Sequence, residues 1–215
     1  MRIALIGATG YVGSAILQEA LSRGHDVTAI VRHAEKLPAH PNLTPKAVDV
    51  ADVAALAAAL AGCEAVVHAY APPRDLDVAA RIAAQRQGTR AILDAMKRSG
   101  VARILAVGGA GTLLVPGGGR NMDRPDFPKA WEGGAKSTAA VKEMLQAEPG
   151  MAWTFLSPSH QLVPGERTGK FRLGRDDMLV GPDGESRISL ADYAVAMIDE
   201  LEEPRHTGRR FTVGY

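Results

Sequence analysis

The chain has 215 residues, 46% of them hydrophobic, and its 25 lysines and arginines almost balance 24 acids for a net charge of +1. That length suits one well-buried domain, and no Ser/Gly-rich linker or charge break divides it, so residues 1–215 read as a single unit. The interspersed charges offer no basic field for nucleic acid or an anionic membrane, which leaves a small molecule as the expected partner.

Arg2 to Ile6 reads as a strand: it is too short for a membrane span or signal peptide and runs straight into glycines. With a single cysteine, Cys63, that cannot form an internal disulfide, this predicts a cytoplasmic protein. A monomer or homodimer is expected. The strand breaks into Gly7-Ala8-Thr9-Gly10-Tyr11-Val12-Gly13, and a helical face of Val12, Ile16, Leu17, Ala20 and Leu21 follows, closed by Gly24. In such a strand, glycine, helix unit the first glycine makes the tight turn, the second admits a pyrophosphate to the backbone, and the third lets the helix pack close. The free amides and positive end of that helix then face the phosphates.

Asp26 to Val31 is the second strand, and its carboxyl end should lie beside the adenosine ribose of a dinucleotide. An acid there would accept from a 2′-hydroxyl. The chain instead offers Arg32, with Lys36 one helical turn later, and two cations suit a 2′-phosphate, so NADP(H) is expected over NAD(H).

A third strand, Leu43 to Val48, tolerates Pro45 only near an edge or at its start. Asp52 then caps a helix carrying Val53, Leu56, Ala57 and Leu60, and Gly62 stops it. Ala65 to Ala69 has the apolar run of a buried strand, with His68 as a satisfied core residue. A long helix from about Asp77 to Ser99 closes at Gly100; Ala102 to Val107 is a strand, Lys136 to Ala147 a helix, and Ala152 to Leu156 a strand. Ser189-Leu190-Ala191-Asp192 forms a capping box for a last helix along Ala194, Met197, Ile198 and Leu201, and Phe211 to Val213 suggests a final strand.

This alternation predicts an α/β fold with a doubly wound parallel sheet and helices on both faces. Ligands of such sheets bind beyond the carboxyl ends of the strands, here Gly7, Arg32, Asp49, Tyr70, Gly108 and Ser157. Two long segments, 108–130 and 157–187, break the alternation on that side and are expected to hold the second substrate.

The glycine turn, Arg32 with Lys36, and the closing Ser189-Leu190-Ala191-Asp192-Tyr193-Ala194 stretch resemble the short-chain dehydrogenase superfamily. More closely, the chain is similar to its small atypical members, the NAD(P)H-flavin reductase-like proteins akin to biliverdin reductase B and NmrA-like proteins. Val107-Gly108-Gly109-Ala110-Gly111, Trp153-Thr154-Phe155-Leu156-Ser157-Pro158 and Gly165-Glu166-Arg167-Thr168-Gly169-Lys170-Phe171 extend the likeness over nearly the whole chain. The resemblance implies a Rossmann NAD(P)-binding fold in which Thr9, Gly10, Tyr11 and Val12, beside Gly7 and Gly13, contact the pyrophosphate. It implies Arg32 and Lys36 on the 2′-phosphate, Asp49 and Val50 on the adenine, and Ala69, Tyr70, Gly108, Gly109, Ser157 and Pro158 along the way to the nicotinamide. Lys136, near the superfamily's lysine region, is a candidate for the ribose.

The chain also departs from the superfamily. Its four tyrosines are followed four residues later by Ala15, Arg74, Met197 and nothing, so no Tyr-x-x-x-Lys dyad exists, and a ketone reductase or sugar epimerase loses its proton donor. A flavin or tetrapyrrole takes hydride into a conjugated system and needs positioning more than an acid. The expected activity is therefore NADPH-dependent reduction of FMN, another flavin or a similar acceptor, with His160 and Tyr70 as candidate catalytic side chains. A non-catalytic NADP(H) redox sensor is the alternative, and an epimerase or dehydratase-like isomerase a weaker one. No metal site is expected: the six histidines include no His-x-x-x-His pair, and one cysteine makes no cluster.

Overall fold

Ile3, Ala4, Leu5 and Ile6 are buried on both faces, as a central parallel strand requires, and β1 (Arg2–Ile6) lies between β2 (Asp26–Val31) and β4 (Ala65–His68). The computed structural model describes residues 1–215. Outward from β2 lies β3 (Leu43–Ala47); outward from β4 come β5 (Arg103–Val107), β6 (Ala152–Pro158), β10 (Arg209–Gly214) and β8 (Arg172–Gly174). The order β3-β2-β1-β4-β5-β6 is that of a Rossmann NAD(P)-binding fold, with its switch point between β1 and β4. Only β8 runs antiparallel, and it closes the far edge. Pro45 sits on the opposite edge strand, paired with Ala29, where the missing N–H deprives no neighbour.

Helices α1 (Tyr11–Ser22) and α5 (Leu190–Glu202) cover one face, packing Ile16, Leu17, Tyr193 and Ile198 on Ile3, Leu5 and Val67. The other face carries α2 (Val53–Leu60), α3 (Val78–Ser99) and α4 (Lys129–Gln146), which pack Leu56, Ile92 and Leu145 on Ile6, Val66 and Phe155. Asp52 accepts from Ala55 N at 3.0 Å and Asp77 from Ala80 N at 2.8 Å, so both acids cap as their positions suggest.

Three elements differ from expectation. Helix α4 starts at Lys129 rather than Lys136, because Gly133 and Gly134, poor helix formers alone, pack close to Arg81 of α3. Strand β6 runs on to Pro158, held by register with Thr212 and Val213 of β10. The segment after it is no structureless loop: β7 (Gln161–Val163) pairs with β9 (Arg187–Ser189), and β8 joins the main sheet.

The capping box forms by half. Ser189 Oγ accepts from Asp192 N at 3.0 Å, but the fully buried Asp192 carboxylate turns elsewhere. It accepts from Thr168 N and Gly169 N, both at 2.8 Å, from Thr168 Oγ1 at 2.6 Å and from the Tyr215 hydroxyl at 2.7 Å. Burial alone would push this carboxyl up, yet the hydrogen bonds outweigh it and hold it below its ordinary value. Asp192→Asn points a donor at N–H groups and is expected to cost about 1–3 kcal/mol. Because the folded carboxyl titrates below its unfolded value of about 4, its contribution is complete above that pH and fades as pH falls through the folded value. Urea unfolding of both proteins should show a stability gap at pH 6 that narrows at pH 3; a constant gap contradicts this.

His68 gives a second pH signature. It is buried on β4 with Nε2 3.1 Å from Thr89 Oγ1 and Nδ1 without a partner, and burial lowers its pKa to about 4. An unfolded histidine takes its proton near 6.5, so acidification from about pH 6.5 to 4 favours unfolding by up to roughly 3 kcal/mol. His68→Leu should flatten the stability profile across that window, and a variant with the native slope would disprove the assignment.

Candidate functional site

The glycine turn is shaped by backbone against backbone. Gly7 has φ +88°, and a Cβ there would stand 2.5 Å from Ala69 O at the end of β4; a Cβ at Gly13 would stand 2.1 Å from Gly7 O. Neither contact leaves room for a side chain, so α1 begins tight against the turn. Its N-cap, Gly10, supplies no side-chain acceptor, and the first turn carries no acid. The amides of Tyr11, Val12 and Gly13 thus have no intrahelical partner and stand at the positive end of the helix. Helices α2, α3 and α5 are all closed by side chains at the same place. The open cradle fits the diphosphate of a dinucleotide.

A 380 Å³ pocket joins that cradle to the ends of β2 and β4, and its lining includes Gly7, Thr9, Gly10, Arg32, Asp49, Val50, Ala69 and Tyr70. A neighbouring 570 Å³ pocket shares Thr9 and adds Lys36, Ser14, Gln18 and His40. Glu35, between the two cations in sequence, pairs instead with His33 at 3.2 Å, and neither Arg32 nor Lys36 takes part in an ion pair. The first pocket thus brings Gly7, Thr9, Gly10, Arg32, Asp49, Val50, Ala69 and Tyr70 together, while Lys36 lines the neighbouring one.

Tyr70 belongs to that stretch. Its ring packs on α3 over Gly88, where a Cβ would fall 2.3 Å from the ring. Burial raises its hydroxyl pKa, Arg32 lowers it and Asp49 raises it, which places all three in one field. His160, the other candidate catalytic residue, stands beyond β6, two strands further along the edge from β4. The two candidates thus occupy different parts of the edge.

At the end of β5 the Gly108 backbone packs on Phe155, and Gly109 on Thr138 of α4. Ser157 is fully buried with an unpartnered hydroxyl, and Pro158 is buried inside β6. Lys136 is exposed on α4, its Nζ held 2.5 Å from Glu132 Oε1, and it lines neither pocket.

Around His160 lie two residues that the sequence reading did not pick out. Asn121 Nδ2 is 3.1 Å from His160 Nδ1, and the Trp131 ring centroid is 5.3 Å from the imidazole. Only folding shows them, since 121, 131 and 160 come from three separate segments and match no motif. Three of the four tyrosine hydroxyls are already committed: Tyr11 to Leu162 O, Tyr193 to Leu156 O and Tyr215 to Asp192.

The description "NAD(P)H-binding" fits residues 7–201 as a family match. YwnB of Bacillus subtilis, itself uncharacterized, is 41% identical over 99% of this chain and 98% of its own length. Among solved structures, a protein from Bacteroides thetaiotaomicron, provisionally named an epimerase, is 43% identical with a TM-score of 0.89, covering 100% of this chain and 96% of the other. Another from Streptococcus pneumoniae, provisionally named an NADH-flavin reductase, is 32% identical with a TM-score of 0.86, covering 100% and 99%. With the open cradle and the strand order, these relationships place the chain in the NAD(P)H-binding family, as an oxidoreductase-like Rossmann protein.

Proposed function

We propose that the protein is an NADPH-dependent reductase of a flavin or a similarly conjugated small molecule. One observation carries this reading: the carboxyl edge of the sheet has a built dinucleotide cradle but no tyrosine and lysine dyad. Of the four tyrosines only Tyr70 keeps a hydroxyl without a hydrogen bond, and Arg74 stands where its lysine would be. A ketone or a sugar carbon needs a placed acid or base; a conjugated acceptor does not. The epimerase name of the Bacteroides relative asks for that missing chemistry; the Streptococcus name gives a flavin as acceptor, as proposed here, with NADH rather than NADPH as the donor.

The amides of Tyr11, Val12 and Gly13, with Thr9, would bind the pyrophosphate. Arg32, lining the first pocket, and Lys36, lining the neighbouring one, both free of ion pairs, would hold the 2′-phosphate. Asp49 and Val50 would border the adenine, and the Tyr70 ring, fixed over Gly88, would cover the cofactor rather than take part in chemistry. Gly108 and Gly109, packed tightly on Phe155 and Thr138, would set the backbone at the end of β5 along which the cofactor runs. When bound, the reduced nicotinamide supplies a hydride, which the acceptor takes up together with a proton from water. His160 would orient the acceptor. The partner is thus a small molecule, and no helix is long and apolar enough to cross a membrane.

Mixing NADPH, riboflavin or FMN, and catalytic protein under anaerobic conditions should bleach the flavin absorbance well above the uncatalysed rate. No acceleration with either flavin would reject the reading and favour a redox sensor. Arg32→Glu should weaken NADPH binding by about 10- to 100-fold, since it removes a charge-assisted contact and adds repulsion, while NADH binding changes little. Equal losses for both cofactors would show that Arg32 does not read the 2′-phosphate.

A further inference from the structure

On the reductase reading the acceptor meets the cofactor beyond the ends of β5 and β6, and the group around His160 stands next to those ends. Neighbouring strands are about 4.8 Å apart, so the end of β6 stands about 14 Å along the sheet edge from the β1 turn. His160 follows β6 directly, and Ala110, whose carbonyl Asn121 also reaches, follows Gly108 and Gly109 at the end of β5.

Asn121 fixes the state of His160. The Asn121 side chain is buried, and its Nδ2 lies between His160 Nδ1 at 3.1 Å and Ala110 O at 3.5 Å. The carbonyl can only accept, so the amide must present its NH₂ on this side, and flipping it would set two acceptors against each other. His160 Nδ1 therefore accepts. In the neutral ring the proton is then on Nε2, and that N–H has no partner within the protein. The backbone is held too, with His160 N donating to Ser186 Oγ at 3.1 Å.

Beside this donor stands a bare aromatic surface. Trp131 is 48% exposed, has Phe127 edge-on at 6.4 Å, and meets the His160 ring at 5.3 Å with a 60° interplanar angle. An exposed tryptophan braced by a second ring and flanked by a single oriented N–H is suited to a flat heteroaromatic ring with an accepting carbonyl or imine edge. Resting on the reductase reading above, we infer that Trp131 is the stacking platform for the acceptor. His160 Nε2–H donates to the acceptor's polar edge, and Asn121 is a positioning residue that keeps this tautomer. The acceptor class is thus a planar, conjugated heterocycle such as an isoalloxazine, not a small ketone or a sugar.

The test uses the intact protein with riboflavin as probe and separates binding from turnover. Riboflavin should quench tryptophan fluorescence; Trp153→Phe should retain the quench, and Trp131→Phe should lose most of it. Trp131→Ala should raise the riboflavin KM about tenfold with a smaller effect on kcat, in line with stacking energies found on aromatic platforms. For Asn121, ¹⁵N spectra of the imidazoles, assigned with a His160→Gln control, should show His160 as the Nε2–H tautomer. Asn121→Asp should convert it to a form protonated at Nδ1, and Asn121→Leu should lower kcat with NADPH binding unchanged. Native riboflavin affinity in Trp131→Ala, or a His160 spectrum that Asn121→Asp leaves unaltered, would overturn the inference. If the native protein reduces no flavin, the reductase reading fails by itself, and the quench and the tautomer still decide the platform.

Discussion

The backbone collision that would follow from any side chain at Gly7 or Gly13 governs the rest of this molecule. Because both lack Cβ atoms, the β1–α1 turn lies against Ala69 and the helix starts directly over the switch point between β1 and β4. An alanine at Gly7 would need a left-handed backbone, a cost of about 1–2 kcal/mol, before its Cβ met the Ala69 carbonyl. That carbonyl is fixed by the sheet, since Ala69 N donates to Ile6 O. The contact cannot relax without parting two central strands. The cradle is therefore built of backbone, which explains how a phosphate site can form with so few polar side chains in its turn.

The segments that face this cradle are secured differently. Arg210, buried on β10, donates to Thr112 O at 2.9 Å and Thr112 Oγ1 at 2.8 Å and also pairs with Asp176, which ties segment 108–130 to segment 157–187. Leu114 exchanges backbone hydrogen bonds with the same stretch, donating to Asp176 O and accepting from Met178 N, both at 2.8 Å. Further along, Asp192 holds Thr168 and Gly169, and the buried Glu19 of α1 takes Arg167 at 2.7 and 2.8 Å. The Arg167 hydrogen bond, opposed by burial and aided by Arg23, lowers the Glu19 pKa, so this anchor is charged at neutral pH. Residues 164–170 bury no large apolar side chain, and polar tethers to a rigid scaffold are what can give such a stretch one position.

Those tethers also mark the limit of what could be read from the chain. The parallel strands were visible because two-sided burial makes Ile3 to Ile6, Ala29 to Val31 and Ala65 to Val67 continuous apolar runs, and the helices because Asp52, Asp77, Gly24 and Gly100 punctuate them locally. The cradle and its pocket follow from short-range order: Gly7 and Arg32 directly follow β1 and β2, and Asp49 and Tyr70 stand two residues past β3 and β4. Helix α4 begins ahead of its local signal because its start is stabilised by packing of a Gly-Gly pair on α3, a tertiary effect with no local sign. Asp192 presented a capping box, but its carboxylate is claimed by residues 23 and 24 positions away, and no spacing rule reaches that far. Asn121 and Trp131 were invisible for the same reason.

The two histidines on this edge show how environment divides one residue type between structure and chemistry. His68, within β4, shares one nitrogen with Thr89 and has nothing to accept a second proton's charge, so burial keeps it neutral and inert under the cofactor pocket. His160 has Nδ1 next to the Asn121 NH₂, which on the inference above leaves the proton on Nε2, and its ring is only half-buried. The tyrosines divide likewise: Tyr193 is spent on a backbone carbonyl in the core, while Tyr70 contributes a ring face. On the reading proposed above, a cleft that lacks a tyrosine and lysine dyad but carries the Tyr70 ring face and the exposed Trp131 suits the holding of planar rings better than the movement of protons.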